Sequence, residues 1–236
     1  MNCQSVPVWD IARIAGYIIS MTIALGPIAR FFTRHMYFVI AFRRSWRDYV
    51  YVSEHLSHEL KFGLQRVDAF NGYHIKRKFC ATAVVYSDAS DSGFGGFSSL
   101  VGDRISFGHW NQFEASQSST CRELKAKLYV LQSFSAALSH HKVKWFSDSQ
   151  NTCRIVSVGG SRPELQAIAV EIFEVCMSFD IAMEIEWLPR SQNDRADYLS
   201  RIVDLDDWSL SAALFQLVDS SWGPHTVDSS ASFYNP

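Results

Sequence analysis

The stretch Ala81-Thr82-Ala83-Val84-Val85-Tyr86-Ser87-Asp88-Ala89-Ser90 decides how this chain reads. A short apolar, partly β-branched run with small residues after it predicts a strand. Asp88 then stands at the strand's C-terminal end, and Gly93, Gly95 and Gly96 come next, where missing side chains let a backbone or ligand come close. Three further acidic islands occur in order: Arg122-Glu123-Leu124, Phe146-Ser147-Asp148-Ser149 and Asn193-Asp194-Arg195-Ala196-Asp197. If Asp88, Glu123, Asp148 and Asp197 converge, repulsion between neighbouring carboxylates makes the cluster costly unless divalent cations sit among them.

Outward from that stretch, the pattern is a meander and then alternating helices and strands. A second strand is expected over Phe94 to Val101, a turn at Gly102-Asp103 and a third strand over Arg104 to Gly108. Thr120 precedes a helix through Leu138, with Leu124, Leu128 and Leu131 on one face. Val143 and Trp145 alternate on a fourth strand ending at Asp148. Pro163 opens a helix with the stripe Leu165, Ile168, Ile172 and Val175, and Ile181, Met183, Ile185 and Trp187 alternate on a fifth strand. Asp194 to Ile202 reads as a short last helix. The expectation is an α/β fold: a mixed five-stranded sheet with flanking helices.

Before this unit the periodicity is helical throughout: Trp9 to Leu25, Pro27 to about Phe42, and a third helix in which Leu56, Leu60, Leu64 and Val67 recur, closed by Gly72. The texture changes between residues 72 and 79, around Lys76-Arg77-Lys78. This divides the chain into a helical segment over 1–74, an α/β domain over 79–203 and an extension over 204–236. The extension holds the aromatic-bearing segment Trp208 to Phe215 and a Ser-rich end without periodicity.

With 236 residues, 47% apolar content and 19% charged residues, the chain can bury a substantial core. A net charge of -2 gives no overall attraction to phosphate, so binding of nucleic acid would need a local basic patch and added cations. Cys3, Cys80, Cys121, Cys153 and Cys176 are scattered and odd in number, without a CxxC pair, which fits a reducing intracellular compartment. The apolar run from Ile11 to Ala29 is interrupted by Arg13 and broken at Gly26-Pro27, short of a membrane span. No basic leader with a small-residue cleavage site is present.

Each acid has a plainer role open to it. Asp88 also suits a polar turn, and Asp91 a turn cap. Thr120-Cys121-Arg122-Glu123 matches a capping box. Asp148 before Ser149-Gln150-Asn151 suits a helix N-cap. Asp197, near Arg195 and Arg201, suits an exposed helix salt bridge. The joint order is what discriminates.

From Ala81 to Arg201 the chain resembles the ribonuclease H domain of retroelement reverse transcriptases. Tyr86-Ser87-Asp88-Ala89-Ser90, Arg122-Glu123-Leu124, Ser147-Asp148-Ser149-Gln150-Asn151 and Ala196-Asp197-Tyr198-Leu199-Ser200-Arg201 carry the likeness. Glu186-Trp187-Leu188-Pro189-Arg190 and Trp222-Gly223-Pro224-His225-Thr226-Val227-Asp228 look most like the DIRS-like, tyrosine-recombinase group of retrotransposons. Arg13-Ile14-Ala15-Gly16 and Gly26-Pro27-Ile28-Ala29-Arg30 are similar to the thumb or connection region of such proteins. The sequence departs from the pattern in four ways. It has no Tyr-Xaa-Asp-Asp polymerase motif, Arg190-Ser191-Gln192 offers no histidine before the final aspartate, Phe94 stands where related domains often have tryptophan, and Ser229-Ser230 interrupts the end motif.

The resemblance implies a ribonuclease H-like fold and endonucleolytic hydrolysis of the RNA strand of RNA/DNA hybrids. Asp88, Glu123, Asp148 and Asp197 would hold two Mg2+ ions, with Mn2+ as a substitute. It further implies a hybrid partner and a reverse transcriptase polymerase domain as a second partner, while the broken apolar run and the scattered cysteines lead us to expect no membrane partner and a cytoplasmic or nuclear location. Arg122, Gln150, Asn151 and Asn193 would contact the hybrid, whose RNA strand is marked by its 2′-hydroxyls. Lys125, Lys127, Lys142, Lys144 and Arg154 would form a phosphate-binding face, with solvated surface charge as the competing reading. A catalytically silent nucleic-acid-binding relic is the main alternative. An exonuclease or strand transferase sharing the same acidic site is another, and a membrane-anchored domain of unrelated function is a third.

Overall fold

The computed structural model describes residues 5–26, 28–70, 80–99, 104–202 and 212–223. The chain begins with β1 (Ser5–Pro7), α1 (Val8–Ser20), α2 (Thr22–Leu25), α3 (Ile28–Phe31), α4 (Arg34–Ala41), β2 (Tyr49–Tyr51) and α5 (Glu54–Phe70). It continues with β3 (Ala83–Ala89), β4 (Gly93–Ser98), β5 (Arg104–His109), α6 (Gln112–Ala115), α7 (Ser119–Leu138) and β6 (Lys142–Ser147). Beyond these lie α8 (Gln150–Val158), α9 (Pro163–Ser178), β7 (Ala182–Trp187), a 3-10 turn (Arg190–Gln192), α10 (Asp194–Ser200) and α11 (Ala212–Trp222).

The expected mixed sheet forms, with strand order β5-β4-β3-β6-β7. β3, β4 and β5 are an antiparallel meander, while β6 pairs in parallel with β3 and β7 in parallel with β6. A parallel neighbour needs a crossover, and α7 supplies it between β5 and β6, as α8 and α9 do between β6 and β7. One face of the sheet turns Ala83, Val85, Val143 and Trp145 into a core completed by Leu124, Leu131 and Leu138 of α7 and by Leu165, Ile168 and Ile172 of α9. On the other face Tyr86 stacks on Phe97 at 4.7 Å and on Phe146 at 5.1 Å, and the Arg195 guanidinium lies 4.4 Å from the Phe97 ring centre.

β4 is pressed from both sides. A Cβ at Gly95 would run into the α10 backbone at Leu199 and Ser200, and one at Gly96 would meet Val130 of α7 at 2.6 Å. Alternate residues of a strand face opposite ways, so these two glycines admit one helix each.

The helical segment differs from its reading in detail. The helix expected over Trp9 to Leu25 breaks at Met21, and that expected over Pro27 to Phe42 divides at Phe32-Thr33. The second break has a visible cause. Glu59 of α5, 2% exposed, accepts bonds from the His35 and Met36 backbone amides and so caps α4 from a neighbouring helix. The antiparallel pairing of β1 with β2 was not anticipated, since three-residue strands carry no readable period. Residues 212–222 form a helix where the sequence reads as an aromatic-bearing segment running into an aperiodic end.

Gly72, Lys76-Arg77-Lys78, the Gly102-Asp103 turn and the boundary between 72 and 79 lie outside the described residues. No helix among the described residues is long and apolar enough to cross a membrane.

The helical segment docks on α8 and α9. Phe32 stacks on Phe62 at 3.5 Å and meets Phe173 of α9 edge-on, while Ala169 and Phe31 complete the buried cluster. Arg34 donates from Nε (2.8 Å) and Nη2 (2.6 Å) to the Val158 carbonyl, closing the C-terminus of α8. Gln166 accepts from Gly160 N and donates to Phe31 O.

Replacing Gly95 with alanine forces α10 off the sheet. Gly95→Ala is expected to cost about 2–3 kcal/mol in a denaturant titration.

Candidate metal centre

Parallel pairing of β3 with β6 places the C-terminal ends of both strands on one edge of the sheet. Asp88 lies near the end of β3 and pairs with Gly95, while Asp148 comes directly after Ser147 at the end of β6. Glu123 reaches the same edge from α7, with its carboxylate bonded by Lys127 Nζ at 3.1 Å. Ligand oxygens of Asp88, Glu123 and Asp148 all lie within 4.8 Å of one another.

The helix boundary explains why Glu123 is free to do this. The capping box expected from Thr120 and Glu123 does not form. Ser118 is the N-cap of α7, accepting from Cys121 N, which puts Glu123 in the second turn. A capping box does occur, at Asn111 and Glu114 of α6, where none was expected. The N-cap of α8 is Ser149, so Asp148 is not spent on capping either. Ser90, not Asp91, ties the β3–β4 turn, accepting from Ser92 N and Gly93 N and donating to Ser200 O.

Asp88 is 4% exposed, yet its carboxylate has only weak partners: Ser200 Oγ at 3.3 Å and Asn193 Nδ2 at 3.5 Å. Burial first, then the charges of Glu123, Asp148 and Asp197, push its pKa up from 3.8 to about 7. Burial also raises Glu123, against the pull of Lys127. Asp197 goes the other way. Arg201 and Arg190 bind its carboxylate at 2.9 Å and 2.8 Å and lower its pKa. It therefore stands beside the trio, turned to two guanidinium groups. Of the two arginines that the sequence places near it, Arg201 pairs with Asp197, and the Arg195 guanidinium lies over the Phe97 ring.

Asn193, 1% exposed, also donates to Ser87 O, and its Oδ1 is buried without a hydrogen-bond partner among the described residues. Lys125 pairs with Glu114 at 2.9 Å, and Tyr129 bonds the same carboxylate. Arg122 bonds Ala115 O and Asp91. Lys127 is 2% exposed and bonds Glu123, and Lys144 bridges Glu184 and Glu186, so neither presents a free charge to solvent. Gln150 and Asn151 are exposed on α8, which also carries Arg154 and starts beside Asp148. The residues not foreseen are Ser200 against Asp88, Arg190 on Asp197 and Lys127 on Glu123. Of these only the last was legible, as an i, i+4 pair on a helix.

The donor set suits a hard divalent cation. Three carboxylates, one of them buried with no strong bond to its oxygens, offer oxygen ligands of the kind Mg2+ or Mn2+ takes, and among the described residues no sulfur or imidazole ligand joins the cluster.

No protein-family model and no curated protein matches the chain. Among solved structures, the chain is similar to RNase H1 from the halophilic archaeon Halobacterium salinarum NRC-1, at 20% identity and a TM-score of 0.43, covering 50% of this chain and 92% of that one. It is similar to LC11-RNase H1 in complex with RNA/DNA hybrid at 21% identity and a TM-score of 0.41, again over 50% of this chain and 92% of that one. It is also similar to a foamy viral protease-reverse transcriptase in complex with RNA/DNA hybrid, at 12% identity and a TM-score of 0.34, over 96% of this chain and 28% of that one.

A proton on Asp88 couples stability to pH. Between 3.8 and about 7 the folded chain binds this proton and the unfolded chain does not, so metal-free stability falls as pH rises through that window. Asp88→Asn removes the buried charge. At pH 8 and without divalent ions the variant is expected to be more stable than the native chain, by on the order of 1–2 kcal/mol, and the gap should close near pH 4. Thermal melts at the two pH values check this.

Proposed function

We propose that the chain hydrolyses the RNA strand of RNA/DNA hybrids endonucleolytically, using Asp88, Glu123, Asp148 and Asp197 around bound Mg2+. The observation that carries this reading is the convergence of three carboxylates from β3, α7 and the end of β6 within 4.8 Å at one sheet edge. These same acids stand inside the motifs that resemble the ribonuclease H domain of retroelement reverse transcriptases.

Bound Mg2+ would supply an activated water and charge stabilisation of the leaving oxygen. The chain's own residues do the positioning. Ser200 and Asn193 bond the two oxygens of Asp88, and Lys127 holds Glu123. Arg190 and Arg201 hold Asp197 at the rim, where they also face an incoming phosphate. Gln150 and Asn151, exposed in the first turn of α8 next to Asp148, would bond 2′-hydroxyls, and Arg154, one turn further on, would meet the backbone. Burial of Asn193 makes it a support of Asp88, and Lys125 and Arg122 serve the loop around Glu114 and Asp91 before any phosphate. On this reading residues 1–74 form a thumb or connection segment, 79–203 the ribonuclease H domain and 204–236 an extension, within a DIRS-like element.

A silent relic that only binds hybrids is the second reading. It is favoured by the ion pairs that already neutralise two of the four acids, Lys127 on Glu123 and the two arginines on Asp197.

Cleavage of a labelled RNA strand in an RNA/DNA hybrid with Mg2+ separates them, with duplex DNA and duplex RNA as controls. Native chain is expected to cut only the hybrid, and Asp148→Asn to lower the rate by about a thousandfold or more. Hybrid binding without cleavage by folded native chain would establish the relic.

A further inference from the structure

The acidic centre contains a cation of its own. Lys127 Nζ lies 3.1 Å from Glu123 Oε2 and 3.2 Å from the Glu123 carbonyl oxygen. Both residues sit on α7 one turn apart, so the helix itself holds them together. The lysine's charge also reaches Asp88 and Cys153. Lys127 is 2% exposed, so it lies on the buried side of Glu123 and not at the solvent rim.

Lysine is almost never so buried unless it is paired, and removing one partner of a buried pair leaves an uncompensated charge. Here the partner is one of the three carboxylates that converge. With all three ionised the trio carries three negative charges and Lys127 offsets one, which leaves the charge balanced by a single divalent ion. Asp197 adds nothing to this balance, because Arg190 and Arg201 already neutralise it.

We propose that Lys127 is an internal counter-ion of the acidic centre: it holds Glu123 in place in the ion-free chain and competes with divalent cations for that carboxylate, weakening their binding. The inference rests on the reading of the trio as a metal centre. A lysine that merely stabilised α7 would leave ion affinity untouched, since an ordinary i, i+4 pair acts only locally.

Calorimetric titration of the full chain with Mn2+ at pH 8 tests it, with Lys127→Met, Lys127→Arg and Asp88→Asn alongside and circular dichroism confirming the fold of each. Removing a positive charge next to the ion is expected to tighten binding by about tenfold or more in Lys127→Met. Lys127→Arg keeps the charge and should stay within about threefold of the native chain, while Asp88→Asn should lose binding. Lys127→Gln, which keeps a polar end without charge, replaces the methionine variant if that one does not fold. Native-like or weaker Mn2+ binding by a folded Lys127→Met overturns the counter-ion role alone. Absence of ion uptake by both native chain and Lys127→Met overturns the metal reading and this inference with it.

Discussion

Two neighbouring strands running the same way create the acidic edge. Pairing of β3 with β6, from Ala83↔Val143 to Tyr86↔Phe146, brings their C-terminal ends together and with them Asp88 and Asp148. The register is held from both faces. Val85 and Trp145 are buried against α7 and α9, and Tyr86 stacks with Phe146 on the other side. The Trp145 indole donates to Ser87 Oγ at 2.8 Å, a buried bond one residue from Asp88. A slip of one residue would send this whole set to the opposite face and separate the acids.

Once the acids are together, the fold has to tolerate them. Asp88 does so by holding a proton near neutral pH, Glu123 by its bond from Lys127, and Asp197 by turning to two arginines. These are three different answers to one electrostatic problem, and they grade with depth. Where water is excluded the charge is suppressed or internally paired, and at the rim it is paired with solvated guanidinium groups. The gradient runs from the core side of the sheet edge outward.

The helical segment bears on the same edge through α8. Arg34 closes the C-terminus of α8, Gln166 ties the adjoining turn to Phe31, and the Phe31, Phe32 and Phe173 cluster seals the contact. Because α8 starts beside Asp148, the aromatic contact and the acidic centre are opposite ends of one short rigid rod.

Strand alternation, helix stripes and the order of the acidic islands were legible in the sequence because they depend on local periodicity, and the five-stranded mixed sheet could be read from them. What short-range pattern could not carry was any contact that one element makes for another. The break between α3 and α4 depends on a carboxylate contributed by α5, and the true start of α7 depends on Ser118 and not on the better-looking box at Thr120. Asp88, Glu123, Asp148 and Asp197 were singled out by their order and the motifs around them, but the convergence of the first three within 4.8 Å, the burial that raises Asp88 and the arginines bound to Asp197 were decided by packing. Local propensity is a property of neighbours in the chain, whereas charge repulsion, burial and pairing are properties of neighbours in space, and only the folded chain determines those.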